Sequence, residues 1–316
     1  MRNVTLKQLR VFAAVVRCGS SAAAANRLNV TPSAVTLQMQ ALQQQVAVPL
    51  VERSATWTSP TEAGRQLLDT VERIEALLSD CDASLAALTG VRRGTVRVGV
   101  VSTAKYFAPQ ALAAMLRVHP GLDIQLVVGN RADVVAGLRL YEIEVAIMGR
   151  PPDELDVVAA VIGEHPHMIV APVGHPMAGR AGIAPGELAG ETFLVREPES
   201  GTRTLMERFF AGAGIAPRIG MQIGSNETIK QAVVAGLGIA FLSGHTIGAE
   251  LVAQRLVVLD VRGLPVVRHW HVVHMRQRRM MPAAEAVRAF LTERGRLYLP
   301  APDGMVRPSQ QAGATL

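Results

Sequence analysis

The sequence has few of the residues that several protein classes require. Its 316 residues include only two cysteines, Cys18 and Cys81, which argues against a secreted scaffold held together by disulfides. No uncharged apolar run reaches the roughly 18 residues that a membrane helix needs. No long apolar stretch follows the basic start, as it does in a signal peptide. We therefore expect a cytoplasmic protein with reduced thiols and no membrane contact.

Motifs of common enzyme classes are also missing. No GxGxxG follows the first strand of the C-terminal part, as a dinucleotide-binding dehydrogenase requires, and no GxSxG of a hydrolase occurs. His269, His271 and His274 lie close together in the sequence, but no acid or cysteine joins them, which favours structural roles over metal binding. The sequence predicts no enzyme, no metal site and no cofactor.

Acidic residues are almost absent from the first sixty positions. Six basic residues stand there against one acid, Glu52, so this region carries a net charge of +5 out of the +6 of the whole chain. A small basic region joined to a near-neutral remainder predicts a polyanionic partner at one end. Chance clustering of surface arginines is equally compatible with the charge alone.

Apolar periodicity and capping residues predict three helices in this region. Thr5 and Gln8 have the spacing of a capping box, Gly19 ends the first helix, and a second, Ala-rich helix runs to Leu28. Thr31 can cap the third helix, with a proline at its first position. A helix, a tight break and another helix in a basic surround are typical of a helix-turn-helix. The third helix runs to about position 45, and its core face is Val35, Met39, Leu42 and Val46.

The outer face of the third helix carries hydroxyl and amide groups and no charge. Such groups donate and accept hydrogen bonds, as base edges in the DNA major groove do, and a threonine methyl can contact thymine. The alternative is the glutamine-rich solvent face of an ordinary helical bundle. A short two-stranded wing at 50–64 can reach phosphates. The predicted DNA-binding residues are Thr31, Pro32, Ser33, Thr36, Gln38, Gln40, Arg53, Thr56 and Thr58.

Residues 61–88 carry apolar side chains at alternating spacings of four and three, which form a heptad seam. Such a narrow seam most often pairs with a second helix, and a dimer can present two recognition helices about one DNA turn apart. A single amphipathic helix packed on its own domain is the alternative. TGVRRG at 89–94 is the expected hinge. The predicted dimer-helix residues are Leu67, Val71, Ile74, Leu78, Cys81 and Leu85.

Strands alternate with helices over the C-terminal two hundred residues. The order βαβαβ predicts a mostly parallel sheet, and the pattern restarts near residue 167. Two α/β lobes would leave a cleft between them, where ligands bind beyond strand ends and at helix N-termini. We expect lobe I at about 93–166 and 269–300, lobe II at about 167–268, and a disordered tail at 301–316.

Polar and basic residues follow several of these strands, and a helix is expected to begin at Ser102 or Thr103. Hydroxyl, amide and guanidinium groups converging on one cleft suit an anion with several oxygens. Each residue alone also fits a helix cap or a surface position. Arg131 and Arg203 also have acids, Asp133 and Glu207, at helical spacing. The predicted effector-binding residues are Ser102, Thr103, Lys105, Asn130, Arg131, Arg150, Thr202, Arg203 and Asn226.

Two long parts of the sequence resemble one family of bacterial regulators. The N-terminal part, including LKQLRVFAAVVRCGS and RLNVTPSAVTLQMQALQQQVAVPLVER, looks like the winged helix-turn-helix of LysR-type transcriptional regulators. Pro32 stands where that family often has a base-contacting glutamine. The C-terminal segments VSTAKYFAP, AIMGRPPDELD, VREPESGTRT and GSNETIKQAVVAGLGIA resemble the effector-binding domain of the Calvin-cycle operon regulators, which control rubisco genes.

The resemblance implies a definite architecture and function. An N-terminal all-α winged helix-turn-helix at 1–60 would be followed by a long linker helix and hinge at 61–92. A C-terminal α/β two-lobed, periplasmic-binding-protein-like domain would occupy 93–300. The protein would be a homodimer or homotetramer that binds double-stranded DNA, with RNA polymerase as a candidate partner. It would activate a carbon-fixation operon in response to a phosphorylated metabolite or NADPH. The alternative is a cytosolic metabolite-binding protein or enzyme domain with an N-terminal protein-interaction module.

Overall fold

The chain folds as two units, each with its own core. The first holds residues 1–85 together with the short segment 140–142, and the second holds the remainder. The structure, a computed structural model, describes residues 3–53, 58–88 and 94–300. Thr56, the tail at 301–316 and all of the expected hinge but its last glycine lie outside these residues. Within the described ranges, no helix combines the length and the apolar character needed to cross a membrane.

The first unit begins with three helices, and local capping contacts set their ends. They are α1 (Leu6–Cys18), α2 (Ser21–Leu28) and α3 (Pro32–Val46). The predicted capping box is confirmed, because the Gln8 N–H donates to Thr5 Oγ1 at 3.3 Å and the Thr5 N–H donates to Gln8 Oε1 at 2.8 Å. Gly19 ends α1 with a left-handed φ of 70°. The Ala34 N–H donates to Thr31 Oγ1 at 3.3 Å, which caps α3.

The core of this unit is built where the apolar periodicity predicts it. Phe12 of α1 is completely buried, as are Val35 and Leu42 of α3. Met39 is also buried, and Val46 packs against the same cluster while half-buried. The buried side of α3 is therefore the predicted one, and its polar residues are left on the outside.

A short hairpin follows α3. Strand β1 (Val51–Arg53) pairs antiparallel with β2 (Thr58–Pro60), which matches the expected wing. The Thr58 N–H donates to the Gly19 carbonyl at 2.8 Å and ties the hairpin to the end of α1. A Cβ on Gly64 would lie 2.0 Å from the Leu50 carbonyl oxygen, so only glycine permits this close approach.

Helix α4 (Glu62–Leu88) has an inner first half and an exposed later part. Leu67 and Val71 are buried in the core of the first unit, and Ile74 packs against it. Leu78 and Cys81 are exposed, whereas the side chain of Leu85 lies outside the described residues. The predicted seam is thus wrong for Leu67 and Val71, because α4 begins by packing on its own domain. Pairing through the later part stays a prediction.

Substitutions in the two parts of α4 should have opposite effects. Leu67→Ala empties a buried site and should lower the free energy of unfolding by about 2–5 kcal/mol. Leu78→Asp should leave that free energy nearly unchanged but dissociate the oligomer, because it places an ionised carboxylate in an apolar helix pair. Urea unfolding followed by circular dichroism measures the first effect, and light scattering measures the second.

The exposed Gln66 lies outside the later part of the helix, so Gln66→Asp serves as the matched charge control and should keep both properties. An unchanged mass for Leu78→Asp would rule out pairing through the later part of α4.

The second unit begins with the predicted parallel βαβαβ arrangement. Strand β3 pairs in parallel with β4 on one side and with β5 on the other. All four residues of β5 are buried, as expected for a strand covered on both faces. The elements are β3 (Gly94–Val101), α5 (Ala108–Val118), β4 (Leu122–Gly129), α6 (Arg131–Arg139) and β5 (Val145–Met148).

Two long antiparallel strands run through the rest of the unit. The remaining elements are β6 (Val157–Pro172), β7 (Thr192–Val195), α7 (Gly201–Gly212), β8 (Arg218–Gln222), α8 (Asn226–Val234), β9 (Ala240–Ser243), α9 (Gly248–Val252), β10 (Leu256–Leu259), β11 (Val266–Met275) and α10 (Pro282–Arg294). The first part of β6 pairs antiparallel with β11, and its last residues pair with β9 and β10. The expectation of a mostly parallel sheet is therefore met only where β3 pairs with β4 and β5, and where β7 pairs with β8. The strand pairs formed by β6 and β11 are antiparallel.

The helix expected at Ser102 or Thr103 begins later. Both residues lie in a turn, a single 3-10 turn covers Ala104–Tyr106, and α5 starts at Ala108. Pro109 explains the delay, since it has no N–H to extend a helical ladder from the residues before it. Ser102 and Thr103 therefore occupy the turn directly after β3.

Candidate functional site

The outer face of α3 lies opposite its buried side. At the 100° per residue of an α-helix, Ser33, Leu37, Gln40 and Gln44 project away from Val35. Leu37 is 63% exposed and was not singled out by the sequence analysis. Ser33, Gln40 and Gln44 are also exposed, whereas Thr36 and Gln38 are half-buried at the sides.

The hydroxyl groups on α3 are engaged within the helix. Thr31 Oγ1 and Ser33 Oγ lie 3.0 Å apart, and Thr36 Oγ1 donates to the Pro32 carbonyl at 3.0 Å. Within the described residues, the Gln40 amide has no hydrogen-bond partner. Among the predicted base readers, the free amide of Gln40 is thus better placed to bond a base edge than these hydroxyls.

Four of the six basic residues in the first sixty positions are either paired with an acid or not described by their side chains. Arg10 bonds Glu75 of α4 at 2.7 Å, and Arg17 bonds Glu72 at 2.6 Å. Arg53 is described only by its backbone, and its predicted phosphate contact lies outside the described side chains. The exposed basic side chains described among the first sixty residues are Lys7, Arg10, Arg17 and Arg27. Two of these four have no acidic partner in the described part of the chain, which leaves Lys7 and Arg27 free.

The second unit contains a cavity of about 370 Å³ at the carboxyl ends of β3, β4 and β5. Its wall also includes the start of α7, the middle of β6 and one residue of β11. This volume lies within the range of small-molecule sites in proteins. The predicted effector residues that line the cavity are Ser102, Thr103, Asn130, Arg131, Arg150 and Thr202.

Three predicted effector residues do not line the cavity. Lys105 lies 3.9 Å from the Glu227 carboxylate and over the Tyr106 ring. Arg203 pairs with Glu207 one helical turn later, as the alternative interpretation required. Asn226 is buried and accepts a hydrogen bond from another arginine of the wall.

That arginine, Arg196, anchors the cavity wall. Its side chain is only 2% exposed and forms a two-point contact with Glu197, both N···O distances being 2.7 Å. It also donates to Asn226 Oδ1 at 2.7 Å and to Ser102 Oγ at 3.2 Å. Such fully bonded buried guanidinium groups fix geometry, because each donor is committed to one acceptor. Arg196 therefore holds the turn after β3 against the start of α8.

Two further arginines of the wall have no acidic partner in the part of the chain that the structure describes. Arg208 of α7 and Arg268 of β11 make no ion pair or side-chain hydrogen bond within the described residues. Burial, with the nearby charges of Arg208 and Arg150, lowers the pKa of Arg268 below its ordinary value. Arg150 pairs with Asp153, which is largely exposed. The cavity wall thus holds two arginines without an ion pair in the described part of the chain, next to the acids Asp153 and Glu199.

Sequence reasoning missed these two arginines for a geometric reason. Arg208 lies five residues after Arg203 on α7, so their side chains point about 140° apart. Arg208 shares a helix face with Gly201 and Thr204, which also line the cavity. Two features of the sequence could have identified them. Arg208 has helical spacing from the start of α7, and Arg268 is the one arginine in an otherwise apolar and histidine-rich strand.

Buried histidines form the floor of the cavity. His165 and His167 of β6 line it, and the His165 ring stacks on Trp270 with centroids 3.8 Å apart. His245 accepts a hydrogen bond from Trp270 Nε1 at 3.0 Å. A Cβ on Gly149 would lie 3.0 Å from His165 Nδ1, so glycine lets the end of β5 approach this ring. No group of three or more His, Cys, Asp or Glu within the described ranges is placed to hold a metal ion.

Burial keeps these histidines neutral. It lowers the pKa of His165 well below the ordinary 6.5, that of His167 to about 3 and that of His245 to about 4. In the unfolded chain each would take up a proton below about pH 6.5. Their contribution to stability is therefore complete above that pH and is lost as the pH falls towards 4 and 3.

Acid should destabilise the second unit in a residue-specific way. Between pH 7 and pH 5, one such histidine should lower the free energy of unfolding by about 2 kcal/mol. His167→Gln removes the titrating group, so this part of the pH dependence should disappear. His119→Gln alters an exposed histidine and serves as control. Urea unfolding at both pH values measures the effect, and an unaltered pH profile for His167→Gln would contradict the assignment.

Comparisons with known proteins match both parts of the chain to one family. Residues 6–65 match the family model of the bacterial regulatory helix-turn-helix protein, lysR family, and residues 89–296 match that of the LysR substrate binding domain. The chain is 51% identical to the HTH-type transcriptional regulator CbbR of Xanthobacter flavus, covering 94% of this chain and 90% of that protein. It is 41% identical to the RuBisCO operon transcriptional regulator of Allochromatium vinosum, covering 94% and 98%.

A solved structure extends the comparison to the cavity-bearing unit. The regulatory domain of Synechocystis CcmR in complex with 2-PG superposes with a TM-score of 0.62 at 31% identity. The match covers 64% of this chain and 97% of that domain. The similarity therefore includes the part of the chain that carries the arginine-lined cavity.

Proposed function

Because the chain belongs to the LysR family of transcriptional regulators, we propose that it activates a carbon-fixation operon when a small phosphorylated metabolite occupies the cavity. The protein is a DNA-binding regulator and not an enzyme. The matched helix-turn-helix leaves the alternative, a metabolite-binding or enzyme domain with a protein-interaction module, without support. Its relatives are named as regulators of the same kind, one of them for the RuBisCO operon.

Positively charged side chains in the cavity support an anionic effector. Arg208 and Arg268 line the cavity and make no ion pair within the described residues, and the charges of Arg208 and Arg150 both act on Arg268. Guanidinium groups bind carboxylate and phosphate oxygens through short, charge-assisted hydrogen bonds. An anion with at least two negative charges would remove the repulsion between these arginines. We therefore propose a phosphate ester, with a carboxylate or second phosphate, as the effector class.

Backbone donors supply a second support for an anion. Helix α7 begins at Gly201, and its N-cap residue Ser200 makes no side-chain capping bond. The first N–H groups of the helix are thus left for a ligand, and the positive end of the helix dipole favours negative charge there. Thr202 and Thr103 add buried hydroxyl groups to the same wall.

The size of the cavity favours one of the two expected effectors. At about 370 Å³ it lies near the lower end of the range for ligand sites. A compact phosphorylated acid such as 2-phosphoglycolate suits this volume better than the dinucleotide NADPH.

We propose that the effector-bound protein acts in the cytoplasm as a homotetramer on double-stranded DNA and contacts RNA polymerase.

Calorimetry with 2-phosphoglycolate tests the effector site. Arg268→Gln and Arg208→Gln each remove a charged donor, and each should weaken binding by about 1.5–3 kcal/mol. Arg203→Gln is the matched control, because this arginine pairs with Glu207 away from the cavity and should keep wild-type affinity. If both cavity variants and the control keep wild-type affinity, Arg208 and Arg268 do not bind the effector.

Gel-shift titration tests α3 as the base-reading element. Gln40→Ala should cost roughly 1–3 kcal/mol on specific DNA and little on random DNA, because its free amide would lose a bidentate contact with a base. Gln45→Ala, on an exposed flank of the same helix, is the matched control. Equal losses on both DNAs for Gln40→Ala would show that Gln40 contributes to general affinity and does not read a base.

A further inference from the structure

The most exposed large apolar side chain of α3 stands at the centre of its outer face. Leu37 is 63% exposed, although leucine is usually buried. At 100° per residue it points almost directly away from the core residues Val35, Met39 and Leu42. Its position is therefore the one that a helix in the major groove would direct at base edges.

The hydroxyl groups beside Leu37 are bonded within the helix and do not project towards a ligand on its outer face. Thr36 Oγ1 is turned back to the Pro32 carbonyl, and Ser33 Oγ contacts Thr31 Oγ1. These bonds hold the hydroxyl groups within the first turns of the helix. The middle of the outer face is consequently apolar, with the amides of Gln40 and Gln44 further along.

Only one base presents an apolar group in the major groove. Thymine carries a C5-methyl group there, whereas adenine, guanine and cytosine present hydrogen-bonding atoms at the edges a side chain reaches. A leucine pressed on such polar atoms would bury them without a partner. Pressed on a methyl group, it removes apolar surface of both partners from water.

We infer that Leu37 is a specificity-determining residue that recognises the C5-methyl group of a thymine in each half of the bound DNA site. The inference rests on DNA binding by the matched helix-turn-helix and is independent of the effector. Gln40 then reads an adjacent base by hydrogen bonding, so α3 combines one apolar contact with one polar contact.

Replacement of thymine by deoxyuridine isolates this contact, because it removes the methyl group and leaves every hydrogen-bonding atom in place. The DNA is the duplex that the wild-type protein selects from random sequence, and affinity is measured by fluorescence anisotropy. For wild-type protein, replacement at one thymine in each half-site should weaken binding about fourfold per methyl group. Leu37→Ala should bind the thymine and uridine duplexes equally.

Two further variants separate this role from a structural one. Leu37→Met keeps an apolar side chain and should restore discrimination between the two duplexes. Gln44→Ala alters the same face and should discriminate like the wild-type protein. Circular dichroism and affinity for random DNA show whether each variant is folded.

The first measurement uses only wild-type protein, so the inference can fail even if every variant is poorly folded. Indifference of the wild-type protein to uridine at all thymines would overturn it. Undiminished discrimination by Leu37→Ala would also overturn it. Loss of oligomer mass in Leu37→Ala, with no uridine effect in wild type, would instead identify a protein contact.

Discussion

The buried guanidinium of Arg196 is the interaction on which the second unit depends. It bonds Ser102 after β3, Asn226 at the start of α8 and the adjacent Glu197, so three separate stretches of chain meet at one side chain. A buried charge is stable only when its hydrogen bonds are complete, and removing one partner of such a group is costly. Ser102 therefore lies on the cavity wall in part because its hydroxyl group accepts a hydrogen bond that the buried Arg196 requires.

The two candidate sites solve the problem of binding an anion in different ways. Helix α3 itself carries no charge, and the nearby Arg10 and Arg17 are held by Glu75 and Glu72 of α4. On the proposed function, amide and apolar groups of α3 would recognise bases, and basic residues such as Lys7 and Arg27 would attract the phosphates. The cavity wall instead holds two arginines, Arg208 and Arg268, that have no ion pair within the described residues, and the proposed anionic effector would neutralise them. On the proposed function, selectivity for DNA would come from the shape and hydrogen-bonding edges of the bases, and selectivity for the effector would come from charge.

The first and the later turns of helix α4 have different surroundings. Its first turns complete the core of the first unit through Leu67 and Val71, and its acids hold two arginines of α1. Its later turns expose Leu77 and Leu78, which a lone helix in water would not favour. One continuous heptad pattern suits both packing on the parent domain, which the structure shows for its first turns, and pairing with a second helix, which we predict for its later turns.

The sequence by itself determined the features that depend on contacts a few residues apart. The capping box at Thr5, the break at Gly19 and the start of α3 at Thr31 all follow from local hydrogen bonds and backbone preferences. The parallel order around β3 follows from alternating strands and helices. The positions of Ser102 and Asn130 at strand ends could be predicted for the same reason.

Only the tertiary structure decided which of the basic residues face one another. Arg208 and Arg268 come from a helix and a strand sixty residues apart in the chain, and the antiparallel pairing of β6 and β11 brings that strand to the cavity. The rotation of α7 about its axis selects Arg208 over Arg203, and core packing sets that rotation. Likewise, the burial of Leu67 depends on the helices it meets. A local pattern can state which side chains share a face, but long-range packing decides what that face touches.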